Sequence, residues 1–352
     1  MPEQANPAEN VTSPEYLGKY QALVHDALRD CLASPDTPLG TMLRYHMGFE
    51  SPDGEPQESV AGKRLRPALC LYVCEAVGGA VEDALPAAAA LELIHNFSLI
   101  HDDIQDQDLE RRGRATVWSI WGKPSGIVAG NALRTVADST LYLLRQSGAP
   151  PAAALEVVQT LTARCLELVE GQRMDLNFES RLDVGPDEYL DMVSRKTGAL
   201  VEAAMHMGAL LGGATTTQVE RLARCGRLLG LTFQARDDVL GIWGDPVLMG
   251  KATGADIRRR KKSLPVLFGF SGTTGAGRER LEQLYRADDE MDDEDVAAVM
   301  GILDAANAEE SAQSVAEDKG TLAMDEARAA GIPEEAVQEL HDLAHFFAHR
   351  AF

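Results

Sequence analysis

Apolar residues recur along this chain at spacings of three and four almost from end to end, and alternating β-branched runs are scarce. Between 85 and 109, Leu91, Ile94 and Leu99 keep that rhythm among alanines and leucines, the residues that favour a helix most. Such a pattern provides helices to pack on helices and little from which to build a sheet. Similar segments fall at about 13–33, 63–78, 125–147, 151–179, 187–213, 216–242, 293–330 and 333–349, so the expected fold class is all-α. Turn chemistry gathers at 49–59, in VEGQRMDLNFES and the DVGPDE that follows, and at 271–277. None of these breaks is long enough for an interdomain linker. The expectation is one domain over 13–352 behind a disordered N-terminus at 1–12.

One helical pattern ends abruptly in charge. Residues 99–116 read LIHDDIQDQDLERRGRAT: four aspartates (Asp102, Asp103, Asp106, Asp108) and then Arg111, Arg112 and Arg114. Crowded carboxylates repel, so this spacing points to something bound. Asp102 and Asp106 lie one turn apart and about 40° apart around a helix axis, close enough to share hard divalent cations. Magnesium takes a few carboxylate oxygens and fills the rest of its shell with water and phosphate, which suits an open acidic helix face. A second pair, Asp237 and Asp238 in GLTFQARDDVLGIWGDP, again closes an apolar helical stretch, with Gln234 one turn before Asp238. Two such helices facing each other would set a metal cluster between them.

The basic residues are clustered too. Lys63, Arg64 and Arg66 stand in GKRLRP, Lys196 in SRKTGAL, and Lys251 before the run from Arg258 to Lys262. Arginine grips phosphate oxygens bidentately and lysine acts as a point charge. The 33 Lys and Arg are outnumbered by 55 Asp and Glu, and the net charge of -22 argues against nucleic acid or an anionic membrane as a surface partner. An anionic ligand must therefore be held locally. Five cysteines (Cys31, Cys70, Cys74, Cys165, Cys225) show neither CxxC nor metal-type spacing and are read as reduced thiols. With no signal-like apolar run in Met1–Thr12 and no membrane-length apolar stretch, the expected location is the cytoplasm.

Five ordered motifs carry a resemblance: GKRLRP (62–67), ELIHNFSLIHDDIQDQDLERRGRAT (92–116), RKTGAL (195–200), FQARDDVLGIWGD (233–245) and GKATGADIRRRKKSLP (250–265). From about residue 15 to its end the chain resembles the trans-prenyl diphosphate synthases of the polyprenyl synthetase family. The resemblance implies a helical bundle around a central apolar cavity, and condensation of an allylic diphosphate with isopentenyl diphosphate. By the same resemblance Asp102, Asp103 and Asp106 on one wall and Asp237 and Asp238 on the other bind Mg²⁺, three ions in all. Arg111, Lys196, Lys251 and Lys261 would contact the allylic diphosphate, and Lys63, Arg66, His95 and Arg112 would hold isopentenyl diphosphate. Thr197 and Gln234 would lie near the developing carbocation. A homodimer is implied as well.

The second motif departs from the family's DDxxD, since its fifth position is Gly241 and Asp245 lies farther along. Product length in the family is limited by bulk four and five residues before the first motif, here Ser98 and Phe97. Small Ser98, with no two-residue insertion in the first motif, most resembles geranylgeranyl diphosphate synthases. Farnesyl or longer products, a terpene cyclase on the same frame, and a noncatalytic regulatory subunit are the alternatives. The stripe His341, His345, His349 and the acidic run at 287–296 are read as solvated helix ends.

Overall fold

The computed structural model describes residues 14–34, 36–57, 62, 64–249, 252–287 and 291–351. The expected disordered N-terminus at 1–12 and the two lysines Lys63 and Lys251 lie outside these residues. The described chain is helical apart from one two-stranded ribbon. The helices that position the site are α1 (Leu65–Ala76), α2 (Val81–Gln105), α3 (Lys123–Leu141), α4 (Pro151–Phe178), α5 (Pro186–Val193), α6 (Ala199–Leu211), α7 (Thr216–Trp243), α8 (Ala255–Arg258), α9 (Leu264–Gly272), α10 (Ala308–Ala329) and α11 (Glu334–His349).

Helix α2 is apolar on all sides in its middle, and the molecule answers by surrounding it. Ala87 to Ala90, Leu91, Leu93 and Ile94 are all buried, as an all-round apolar helix requires. It packs against α1, α3 and α6, while α7 packs against α6, α10 and α11. Helices α2 and α7 are therefore the two inner posts, and both carry their acidic motifs near their C-terminal ends. A full capping box at Thr215 and Gln218 starts α7, satisfying two donors that a helix start leaves open.

The expected segments appear with informative breaks. The 187–213 segment is α5 and α6 joined by a π-helical turn, Ser194–Gly198. The 293–330 segment is split at Asn307, whose φ of 51° is tolerable for asparagine, so α10 is preceded by a separate helix, Asp293–Ala305. Directly after the first acidic motif, β1 (Glu110–Arg111) pairs antiparallel with β2 (Arg114–Ala115). Arg112 and Gly113, with φ of 53° and 71°, form the tight turn between them. The helical expectation did not foresee this ribbon, because four residues of strand carry no legible periodicity. None of the helices is long and apolar enough to cross a membrane among the described residues, and all five cysteines are free.

Candidate active site

Two connected cavities lie between the posts. The inner one, about 860 Å³, is lined by Asp102, Lys196, Thr197, Gln234, Asp237 and Lys261 at its polar end and by Leu168, Leu200, Phe233 and Phe347 among its apolar walls. The outer one, about 620 Å³, shares Lys196, Asp237 and Lys261 and adds Asp106 and Asp256. The acidic motifs thus face one cleft, as two facing helices were expected to do. A carboxylate that the sequence reading missed, Asp175 of α4, lines both cavities and accepts a 2.6 Å hydrogen bond from Lys196 Nζ.

The five aspartates of the two motifs do different work. Burial pushes Asp102 up to about 6; Lys196 pulls the other way and Asp106 adds repulsion. Burial also raises Asp106, again against Lys196. Asp103, although adjacent, is turned away from the cavity: its Oδ1 accepts from Arg111 Nε at 2.6 Å, and it is 1 % exposed. Its expected metal role is replaced by that of a buried anchor which sets the direction of Arg111. On the opposite wall Asp237 is half-exposed and accepts from Arg350 Nη2 at 2.9 Å, an arginine just past the end of α11.

Asp238 also departs from its expected metal role. It is wholly buried, with Oδ2 accepting from Tyr189 Oη at 2.5 Å and from the Leu264 N–H at 3.1 Å, and Oδ1 accepting from Gln234 Nε2 at 3.0 Å. Both oxygens are committed to protein donors, which leaves Asp238 to brace its neighbours. Gln234, so held, accepts from Thr197 Oγ1 at 3.2 Å, which brings the two expected carbocation-facing groups together. Lys261 Nζ stands 3.7 Å from Asp238 Oδ1 and 3.4 Å from Asp256 Oδ2. Burial opposes its charge, but those two carboxylates win and hold it well above the usual lysine range.

Lys196 and Thr197 sit on the π-helical turn. An added Cβ at Gly171 of α4 would come within 2.4 Å of the Lys196 backbone nitrogen, so only glycine there lets the widened turn lie against α4. On the other side Arg227 donates to the Ser194 carbonyl at 3.2 Å and to its hydroxyl at 3.0 Å, and is itself held by Glu167 and Glu202. A π turn leaves one residue out of step with the α pattern, and these contacts hold it.

The same inner cavity also has a basic lining. Arg66 is half-buried, its Nη1 donates to His95 Nε2 at 3.2 Å, and Arg112 lines the same cavity. Burial, reinforced by Arg66 and Arg112, drives the His95 imidazole well below its ordinary range, so it is neutral and can accept that bond. Arg66 Nε and Arg64 Nη2 are buried with no hydrogen-bond acceptor among the described residues. Buried donors without acceptors are costly, and an anion satisfies them. The remaining expected positions divide: Ser98 lines the inner cavity, whereas Phe97 on the neighbouring face packs edge-on against His101, their centroids 5.4 Å apart.

Whether the carboxylates suit Mg²⁺ is a question of donor chemistry. Among the described residues no three carboxylate, imidazole or thiolate groups converge as a preformed cage. Magnesium fits such an arrangement, because it is commonly held by one or two carboxylates plus substrate phosphate. The histidine stripe of α11 stays peripheral, His349 reaching only within 3.9 Å of Glu317. In the acidic run at 287–296, Asp292 caps a helix by accepting from the Asp295 N–H, and 288–290 are outside the described residues.

A family model described as Polyprenyl synthetase matches residues 56–303. The chain is 38% identical over 336 residues to a (2E,6E)-farnesyl diphosphate synthase of Mycobacterium tuberculosis, covering 95% of this chain and 92% of that one. It is 39% identical over 313 residues to a geranylgeranyl diphosphate synthase of the same organism, covering 87% of each. The fold superposes on a crystal structure of a polyprenyl synthetase from Streptomyces coelicolor A3(2) with a TM-score of 0.88 at 36% identity, covering 95% and 99% of the two chains.

Proposed function

Because the chain belongs to the polyprenyl synthetase family and is a trans-prenyltransferase, we propose that it condenses isopentenyl diphosphate head-to-tail with an allylic diphosphate, giving chiefly geranylgeranyl diphosphate. The carrying observation is the pairing of two kinds of lining on one cavity: the carboxylates of α2 and α7, and a basic cluster with buried guanidinium donors lacking acceptors among the described residues. A cyclase needs only the first.

Asp102 and Asp106, with Asp175 and Asp237 opposite, are the residues that would hold Mg²⁺, three ions by family likeness. Bound there, the metal supplies Lewis-acid charge to the leaving diphosphate. Lys196 and Lys261 present cations to the same group from the opposite wall, and Arg111 is aimed by Asp103. Arg66, His95 and Arg112 hold isopentenyl diphosphate, so its double bond is presented to the allylic carbon rather than free to wander. As the allylic C–O bond breaks, the oxygens of Thr197 and Gln234 face the positive charge that develops. The new C–C bond forms, and the departing pyrophosphate takes the proton. Phe233, Leu200 and their apolar neighbours exclude water that would quench the cation. Lys63 and Lys251 are proposed to join the basic and allylic contacts by likeness alone.

Small Ser98 on the cavity wall favours the twenty-carbon product over the fifteen-carbon one. The enzyme works as a cytoplasmic homodimer: Leu155, Leu166 and Val169 form an exposed apolar stripe on α4, beside Ile127 and Val128 of α3, a face suited to a second copy of itself. Incubation with Mg²⁺, labelled isopentenyl diphosphate and each allylic primer, followed by chromatography of the dephosphorylated products, tests both activity and length. Incorporation into geranylgeraniol is expected; no incorporation with any primer would point to a regulatory subunit, and cyclic hydrocarbon to a cyclase. Light scattering should give twice the chain mass, and Leu166→Arg should halve it.

A further inference from the structure

Gly241 stands where the common motif carries a third aspartate, yet the space beside it is not empty. A Cβ built at Gly241 would lie 2.4 Å from Asp256 Oδ2 and 2.6 Å from its Cγ, so a side chain there would push the Asp256 carboxylate off its present seat. Asp256 belongs to α8, which is tied to α7 by a 2.9 Å hydrogen bond from the Gly254 N–H to the Ile242 carbonyl. The Asp256 carboxylate therefore rests on bare backbone of the second motif, less than one turn beyond Asp238.

From that seat it meets Lys261. Asp256 Oδ2 is 3.4 Å from Lys261 Nζ, and the Lys261 N–H donates to the Asp256 carbonyl at 2.9 Å, closing the loop between them. On its other side the ammonium faces Asp238 Oδ1 at 3.7 Å. A lysine has four rotatable bonds and no preferred direction of its own. Two carboxylates from different helices give it one, at the wall that both cavities share.

We propose that Asp256 is the positioning residue for Lys261, and that Gly241 is required because its missing side chain opens the slot Asp256 fills. Restoring the common aspartate at 241 therefore damages the site. This rests on the reading of Lys261 as a diphosphate contact.

The test is calorimetric binding of inorganic pyrophosphate in the presence of Mg²⁺, without turnover, alongside steady-state kinetics. Asp256→Asn is expected to weaken pyrophosphate binding about tenfold, the scale of one charge-assisted contact, and to raise the allylic KM more than it lowers kcat. Gly241→Asp should do at least as much. In a Lys261→Ala background Asp256→Asn should add nothing, because its effect passes through the lysine. Additive losses in that cycle, or a Gly241→Asp protein binding as tightly as wild type, overturn the proposal. Should Gly241→Asp fail to fold, the Asp256–Lys261 cycle, which uses an isosteric change, still decides. Wild-type protein that ignores pyrophosphate and Mg²⁺ altogether would instead overturn the diphosphate reading on which this rests.

Discussion

The two acid-bearing helices begin from nearly the same short motif and end in different states. On α2, Asp102 and Asp106 look into the cleft with Lys196 and, more weakly, Arg111 to oppose their charge, and the odd member, Asp103, is spent on Arg111. On α7, Asp237 is already paired with Arg350, Asp238 is locked by three donors, and the fifth position is a glycine occupied from outside by Asp256. One wall is open and electrostatically strained; the other is satisfied and braced. The comparison teaches that identical residue pairs are divided between binding and bracing by which side of the helix meets the core.

The largest contrast should come from removing one aspartate of each kind. Asp102→Ala is expected to lower kcat by roughly 10²–10³, the scale of losing one preorganised electrostatic group, with thermal unfolding of the ligand-free protein no lower than wild type. Asp238→Ala should instead unfold early, by roughly 3 kcal/mol in denaturant titration, because Tyr189, Gln234 and the Leu264 N–H lose their acceptor together. If the two variants exchanged these behaviours, the division of labour would be reversed.

Acidity sharpens the same contrast. Burial raises Asp102 from its ordinary 3.8 to about 6, so the ligand-free fold holds that proton more tightly than the unfolded chain does. Its contribution to stability is present below pH 4 and is lost as pH rises through about 6. Mg²⁺ competes with that proton, so calorimetry should show affinity weakening as pH falls below about 6, by up to about tenfold per unit. Removal of Mg²⁺ by a chelator should lower the unfolding midpoint at pH 7.5 and leave it nearly unmoved at pH 5.

Smaller effects test the pins. Arg350→Gln frees Asp237 and should change the Mg²⁺ requirement for half-maximal rate by only a few-fold, since an ion pair in partial contact with water is worth about 1 kcal/mol. Ser98→Phe should leave the overall rate within about threefold while shortening the product, read by chromatography. Its side chain would project into a cavity that the present serine barely enters, and unchanged product length would remove Ser98 from the wall that measures chain growth.

Much of this was legible beforehand, for reasons that can be named. The inner posts were visible because long apolar helices have a strong period, and Asp102, Asp106 and Asp237 because carboxylates crowded at a helix end are unfavourable without a partner. The destinations of Asp103 and Asp238 were not, since whether the second member of a pair turns inward depends on Arg111 and Tyr189, eight and forty-nine residues away. Asp175 was missed as a single acid in VEGQRMDLNFES, read as a turn-rich break where the structure continues α4 to Phe178, although Gly171 and Gln172 just before it were a signal: Gln172 donates to Gln105 beside the first motif at 2.7 Å. Arg350 carried no local signal at all, because it acts on Asp237, 113 residues earlier; Asp256 lay inside the last of the five motifs, but its seat against Gly241 depends on the fold.

The widened turn at Ser194–Gly198 has a consequence of its own. It inserts one residue beyond an ordinary helical turn, so α6 emerges rotated by about 100° from where an uninterrupted helix would point it. That rotation brings Gly208 against the backbone of Cys70 on α1, the helix that bears Arg66. A surplus residue beside Lys196 thus keeps the helix that bears Arg66 in phase. Deleting any single residue there would yield a smoother helix and two pockets facing different ways.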